Sequence, residues 1–330
     1  MRAAPNASTN LRYFFRRLSH ALFLLLGVSV LSFLFVELAP GDYFERMRLN
    51  PQISRETLAS LRSKYGFDKP IAIRYMRWAR STFKGEFGFS FSYNTPVAPL
   101  IWERATSTLA LTGTATLLAW LLAIPLGVWA ASRKGQWLDR ALAAGTTVLL
   151  ATPDLVIALA LLLFALRTGW FPTGGLHALD IARMNWWGKA RDSASHLFLP
   201  VACLVLGALP TLVRHTRAAL LEVLDSPFVR AARGHGIPER RVLFRYALPA
   251  AANPLISLFG VSLGTLLSAS LLIEVIMSWP GLGPLLVEAI LAHDAYLVIG
   301  AVMLSTVFLV GGSLVADLLL YLADPRIRLG

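Results

Sequence analysis

The sequence predicts an all-α membrane protein of six transmembrane helices, with a small, mainly helical outward segment after the first. Three observations predict it. Of 330 residues, 56% are hydrophobic and only 15% charged, where soluble domains carry about 25% charged residues. Six apolar stretches reach the roughly 20 residues that a spanning helix needs: 19–38, 108–131, 141–166, 196–213, 254–276 and 297–321. None holds Lys or Arg in its interior, so all 31 basic residues fall in loops and termini.

The first span follows "FFRRLSHALFLLLGVSV", which resembles a signal sequence with paired arginines. A cleavable signal has a shorter apolar core and a small-residue cleavage site. Here the apolar run continues to Leu38 and ends in Ala39-Pro40-Gly41, so the reading is an uncleaved helix.

Residues 39–107 read as a folded outward segment. Ser54 suits the cap of a helix whose Leu58, Leu61 and Tyr65 share one face, with Gly66 ending it. Pro70 suits the first turn of a second helix, in which Ile71, Tyr75 and Trp78 recur at i, i+4 and i+7. "GEFGFSF" (85–91) is turn-rich and aromatic. A cap on the outer span ends and a docking surface for an outside partner both fit.

The basic residues set orientation. Arg2, Arg12, Arg16 and Arg17, the 132–140 loop, the seven arginines of 214–253 and Arg326 and Arg328 fall on one side. The other short loops hold Arg167, Arg183, Lys189 and Arg191. The positive-inside rule puts both termini in the cytoplasm: a 1–18 N-terminus, an outward 39–107 segment, a five-helix core over 108–321 and a 322–330 tail. The net charge of +12 is then a topology signal, and nucleic acid is excluded as a partner. The single cysteine, Cys203, lies in an apolar stretch and forms no disulfide framework or metal cluster.

The third span contains Pro153-Asp154 near its middle. Proline leaves a carbonyl unpaired, and an intramembrane acid is a functional candidate by default. A water-filled pathway lined by Asp154, or a local hydrogen bond in the broken turn, would each explain it. Glu37, Glu274 and Asp317 sit near span ends, where a carboxylate reaches water cheaply; Glu274 is also kept as a pathway candidate.

Catalytic signals are weak. "GVSLG" (260–264) matches the hydrolase pattern G-x-S-x-G, but Ser262 lies within a predicted span, not on a strand-to-helix elbow. No G-x-x-x-x-G-K-[ST] phosphate loop occurs; Gly188-Lys189-Ala190 lacks the upstream glycine and the hydroxyl. The chain reads as having no nucleotide site, metal or cofactor of its own.

The 214–253 loop is ordered in pattern. A helix from Arg217 through Leu224 extends the fourth span. Ser226 suits the cap of a turn starting at Pro227, and Gly234 and Gly236 are expected to end it with positive φ. Pro238 and Glu239 suit the start of another helix, carrying Val242, Leu243 and Tyr246 and ending at Pro249.

These residues resemble the "EAA" loop of binding-protein-dependent ABC importer permeases, spaced E-A-A, three residues, Gly, nine residues, I-x-L-P. Here Arg230-Ala231-Ala232 leads to Gly236 and then to Tyr246-Ala247-Leu248-Pro249. Arg230 and Tyr246 replace Glu and Ile; the first departure resembles the peptide and nickel class. "LAPGD" (38–42), "LRSKYGFDKP" (61–70), "YMRW" (75–78), "GEFG" (85–88), "IPLGVWAA" (124–131), "WPGLG" (279–283) and "DPRIRL" (324–329) resemble the first permease subunit of dipeptide and oligopeptide importers. That family more often has a hydroxyl where Asp154 stands.

The resemblance implies the type I importer permease fold, in an inner membrane. It implies a homologous second permease, two ATPase subunits that bind ATP and Mg, and an outside solute-binding protein. It also implies that 230–249 couples to an ATPase, with its arginines facing acidic groups there or lipid headgroups. Peptides are the expected cargo. A nickel or other metal chelate is an alternative, as is a stand-alone secondary transporter using Asp154 as a proton site. The latter predicts an internal repeat and a discontinuous helix pair, and the two halves carry no convincing repeat.

Overall fold

A computed structural model describes residues 7–41, 43–48 and 54–323. Arg2, Asp42 of the LAPGD stretch, Arg326, Arg328 and the 324–329 tail lie outside them. Among the described residues, five helices are long and apolar enough to cross a membrane: α1 (Ala7–Leu38), α5 (Val97–Ser132), α8 (Trp186–Leu224), α12 (Ala252–Ile276) and α14 (Ala295–Ala323). The outward segment holds α2 (Tyr43–Met47), α3 (Arg55–Tyr65), α4 (Ile71–Thr82) and a short antiparallel ribbon, β1 (Phe89–Ser90) with β2 (Thr95–Pro96).

The 141–166 span, expected to carry a broken turn at Pro153, is not a straight helix. It is a pair, α6 (Trp137–Ala151) and α7 (Asp154–Thr168), bent by 97°. The cause is local. A residue before proline is driven out of the helical region, and Thr152 is extended at φ −94°, ψ 119°. Asp154 therefore opens a helix rather than sitting inside one.

The chain divides into two compact units, to both of which α5 and α14 contribute. One is built on Leu109–Trp279 with residues from Gly311 onward. Its core packs Leu111, Ala115 and Ala119 of α5 with Leu199, Leu204 and Leu212 of α8 and Leu266 and Ile273 of α12. Small residues let helices touch, as in membranes generally. A Cβ at Gly127 would lie 2.6 Å from the Thr216 Cβ, and one at Gly260 would lie 2.3 Å from the Ala316 Cβ. Ser262, of the hydrolase-like pattern, is buried; it donates to the Phe259 carbonyl (2.7 Å) and accepts from the Trp120 indole (2.9 Å). It is a packing residue.

The other unit is Phe15–Thr108 with Pro280–Val310. Here the expected α3 and α4 form as their signals direct. The Ser54 hydroxyl accepts from the Thr57 N–H (3.1 Å), and Gly66 turns the chain at φ 75°. Trp78 and Tyr75 of α4 pack on Phe33 of α1. Arg74 of α4 donates to Glu37 (2.8 Å), which is thus an ion-pair partner as well as a carboxylate that still reaches water.

"GEFGFSF" supplies β1, and a carboxylate holds it. The fully buried Asp294 accepts from the Ser90 hydroxyl (2.7 Å) and from the Ser92 N–H and hydroxyl (both 3.0 Å). A further helix, α13 (Leu282–Ala292), begins within "WPGLG", and its first N–H, on Leu282, donates to the Thr108 hydroxyl (2.9 Å).

Candidate functional site

After α8 the chain makes α9 (Pro227–Gly234), a turn at Gly236, α10 (Glu239–Arg241), a wide π-helical turn (Val242–Ala247) and α11 (Leu248–Ala250). The inner face is apolar: Val229, Val242, Leu243 and Ala247 join Val128 and Ala131 of α5 and Leu220 and Leu224 of α8 in one buried cluster. The outer face presents Arg230, Ala231 and Gly236 fully, with Ala232, Tyr246 and Leu248 half-buried and Pro249 exposed. Phe228 and Phe244 are also exposed. The loop therefore has a wholly apolar inner face and an outer face that mixes basic and small residues with two exposed phenylalanines.

Three local expectations need adjustment. Only Gly236 adopts positive φ (74°), whereas Gly234 remains within α9. A Cβ at Gly236 would meet nothing within 4 Å, so glycine is needed there for its dihedral angles, not for space. Ser226 occupies the cap position of α9, but its hydroxyl donates back to the Val223 carbonyl (2.5 Å) instead of capping. And the second helix does not end at Pro249 but runs to Ala250. Pro249 has no N–H for the Arg245 carbonyl and its ring crowds that oxygen; the widened turn just before it absorbs the conflict.

The turn is braced by charge. The Arg233 guanidinium donates twice to Glu239 (3.0 and 2.6 Å), and this bond, ahead of an opposing burial effect, raises the arginine's pKa further. Behind the loop, Arg217 of α8 donates twice to Asp139 of α6 (2.7 and 2.8 Å), and Asp139 also accepts from the Gly135 N–H (2.9 Å). The charge count treats Arg217 only as a topology marker. Its partner was missed, although Asp139 in a first helical turn is the one acid in that short loop region.

At the helix break, Asp154 lines a cavity of about 230 Å³ with Cys203, Gly207 and Thr211 of α8 and Ser262 and Thr265 of α12. Gly207 makes room: a Cβ there would fall 2.7 Å from the Asp154 Oδ1. Among the described residues, none donates a hydrogen bond to this carboxylate, and the Cys203 thiol faces the Asp154 backbone carbonyl (3.9 Å). Glu274 is fully buried rather than near water at a span end, and it does not join Asp154 in lining the cavity.

The arrangement of spans and loop defines a class, the permease of a type I ABC importer. Two solved structures share the fold. An inward-facing structure of the MetNI methionine ABC transporter superposes with TM-score 0.56 at 19% identity, covering 68% of this chain and 96% of its own. An amino acid ABC transporter crystallised with histidines gives TM-score 0.50 at 18% identity, covering 68% and 94%.

Within that class the chain belongs to the family of binding-protein-dependent transport system inner membrane components. Residues 123–329 match this family, and residues 10–112 match its N-terminal companion. Among its relatives, the oligopeptide transport system permease protein AppB of Bacillus subtilis (strain 168) is 35% identical over 318 residues, 96% of this chain and 99% of the relative. The glutathione transport system permease protein GsiC of Salmonella paratyphi A is 31% identical, covering 96% and 99%. The chain is a multi-pass inner-membrane transport permease.

Proposed function

We propose that this chain forms half of the pathway of an ATP-driven importer for di- or oligopeptides. Its partners are a homologous second permease, two ABC ATPase subunits that bind ATP and Mg, and an outside solute-binding protein. Both termini lie in the cytoplasm, the orientation that the distribution of arginines favours, with membrane lipid around the spans. Residues 230–249 seat on an ATPase subunit. Closing of the ATPases draws these loops together and shifts the spans between two packings, one open to each side.

The observation that carries this reading is the loop itself. It is a short helix, a glycine turn and a second helix on their own apolar cluster, with small residues turned outward where another protein can approach closely. The cargo follows the relatives, which carry peptide and glutathione transport in their names. The metal-chelate reading finds no support among them. A stand-alone transporter requires two corresponding broken helices; among the described residues one bent pair occurs.

Gly236→Val tests the coupling. A β-branched residue at positive φ is strained by roughly 1–2 kcal/mol, enough to redirect the turn. Uptake is expected to be abolished while the protein stays in the membrane; normal uptake would remove the coupling role. Gentle purification with mass spectrometry tests the assembly. A second permease and ATPase chains should accompany the protein. Recovery alone, with uptake in vesicles lacking ATP, would overturn it.

A further inference from the structure

The Asp154 cavity has a chemical preference written into its lining. Asp154 is the only charged residue among those that form it. Two of the three hydroxyls in the lining turn their protons elsewhere: Ser262 donates to the Phe259 carbonyl (2.7 Å) and Thr265 to the Ser262 carbonyl (3.1 Å). The Thr265 oxygen is left as an acceptor, and the Ser262 oxygen, which already takes the Trp120 indole N–H (2.9 Å), keeps one further lone pair. A carboxylate without a hydrogen-bond donor among the described residues, with these acceptors in the same lining, suits a group that carries several donors and a positive charge. A primary ammonium, with three N–H donors and no acceptor, is such a group. A carboxylate or phosphate would meet repulsion.

Size narrows the choice further. About 230 Å³ is below the roughly 300–1,000 Å³ of sites that enclose a whole drug-sized ligand. The cavity takes one end of a cargo molecule at a time. Gly207 gives independent support for a shaped site, because any side chain at that position would displace the Asp154 carboxylate. The geometry points to this cavity as the seat of the cargo's ammonium end, with Asp154 as the specificity-determining residue for positively charged substrates. That the ammonium is a peptide's amino terminus rests on the function proposed above.

The sequence provides a direct electrical probe. Cys203 is the only cysteine, so Cys203→Ala with Thr265→Cys places one thiol in the cavity. In the full transporter, purified with its partners and turning over ATP, this thiol is labelled with a cationic and with an anionic methanethiosulfonate. A neighbouring unit charge in a partly aqueous cleft should favour the cationic reagent by about tenfold. Adding Asp154→Asn should bring the ratio to about one, and Asp154→Glu should preserve it. An unchanged ratio in Asp154→Asn overturns the inference, and so does absence of labelling by either reagent. Retained partner subunits show that each variant has folded.

A transport arm separates this inference from the peptide reading. Uptake of a peptide with a free amino terminus is compared with its N-acetylated form, for a pair that the binding protein holds equally well. Asp154→Asn should slow the free-amine peptide about fivefold relative to the acetylated one, whereas equal slowing overturns the proposed role. If the labelling ratio responds to Asp154 but the parent transporter moves no peptide, the cation seat stands and the peptide assignment falls.

Discussion

Asp139 and Asp154 begin the two halves of one broken span, and each occupies the first turn of its helix. A carboxylate is favourable at that end of a helix, so local structure treats them alike. Tertiary structure does not. Asp139 is buried and satisfied three times over, by two bonds from Arg217 and one from Gly135. Asp154 is exposed to a cavity in which no described residue donates to it. The first acid fixes the approach of α6 to α8. The second is available to something that arrives. The difference shows that an acid in a span is informative through its partner, and a partner 78 positions away is what a single sequence hides.

The contrast can be broken in several ways. Asp139→Ala has the largest expected effect. Removing one member of a buried pair costs about 3–5 kcal/mol, and because the Arg217 side chain is 33% exposed the cost here should be nearer 2 kcal/mol. Thermal unfolding in detergent reads it. Adding Arg217→Met should recover part of the loss, since no uncompensated charge then remains; a double variant no better than the single would mean that Gly135, not Arg217, supplies the stability. Gly207→Ala should come next, at roughly 1 kcal/mol, as overpacking of a helix contact, with the Asp154 carboxylate pushed aside. Asp154→Asn should stay within about 0.5 kcal/mol of the parent, as for a site without buried partners, while changing cargo preference. A fall as large as that of Asp139→Ala would erase the distinction.

The smallest effect concerns a third carboxylate. Glu288 accepts a hydrogen bond from the Tyr93 hydroxyl. Burial first, and this bond second, push the phenol from its ordinary 10.0 up to about 12. A raised folded value means that the contribution is complete below pH 10 and is lost as pH climbs from 10 to about 12. Tyr93→Phe should therefore flatten the stability profile in that alkaline window and leave neutral pH nearly unchanged. An identical alkaline limb in both proteins would show that the contact contributes nothing.

Much of the fold was legible because it depends on short-range chemistry. The spans follow from hydropathy, α3 from Ser54 and Gly66, and the turn before α10 from Gly236 and Pro238. The break at Thr152 was half legible. Pro153 was noticed, yet an apolar run on both sides of it reads as one span until the 97° bend is seen. What remained hidden depends on distant residues. The Arg74–Glu37 pair, the Asp139–Arg217 bridge and the clasp of Asp294 on Ser90 and Ser92 join segments that no local pattern links. The widened turn at Val242–Ala247 lies between these cases, since Pro249 announces a conflict without saying how the backbone resolves it. At the candidate site, Asp154 stood out as an acid in an apolar run. Gly207, Thr211 and Thr265 did not, because small and hydroxyl residues are common where membrane helices touch.

The clasp at Asp294 also has a consequence in time. Ser90 and Ser92 emerge from the ribosome early, whereas their acceptor is made 204 positions after Ser90. Throughout that interval the β1–β2 ribbon has its turn but not its anchor, and its serine protons must be satisfied by water. Only when α13 and the start of α14 have been inserted can the early segment close. Final assembly of that unit thus waits until residue 294 has been made, and nascent chains stopped just before it should carry a ribbon less resistant to protease than that of the complete protein, in which Ser90 is buried.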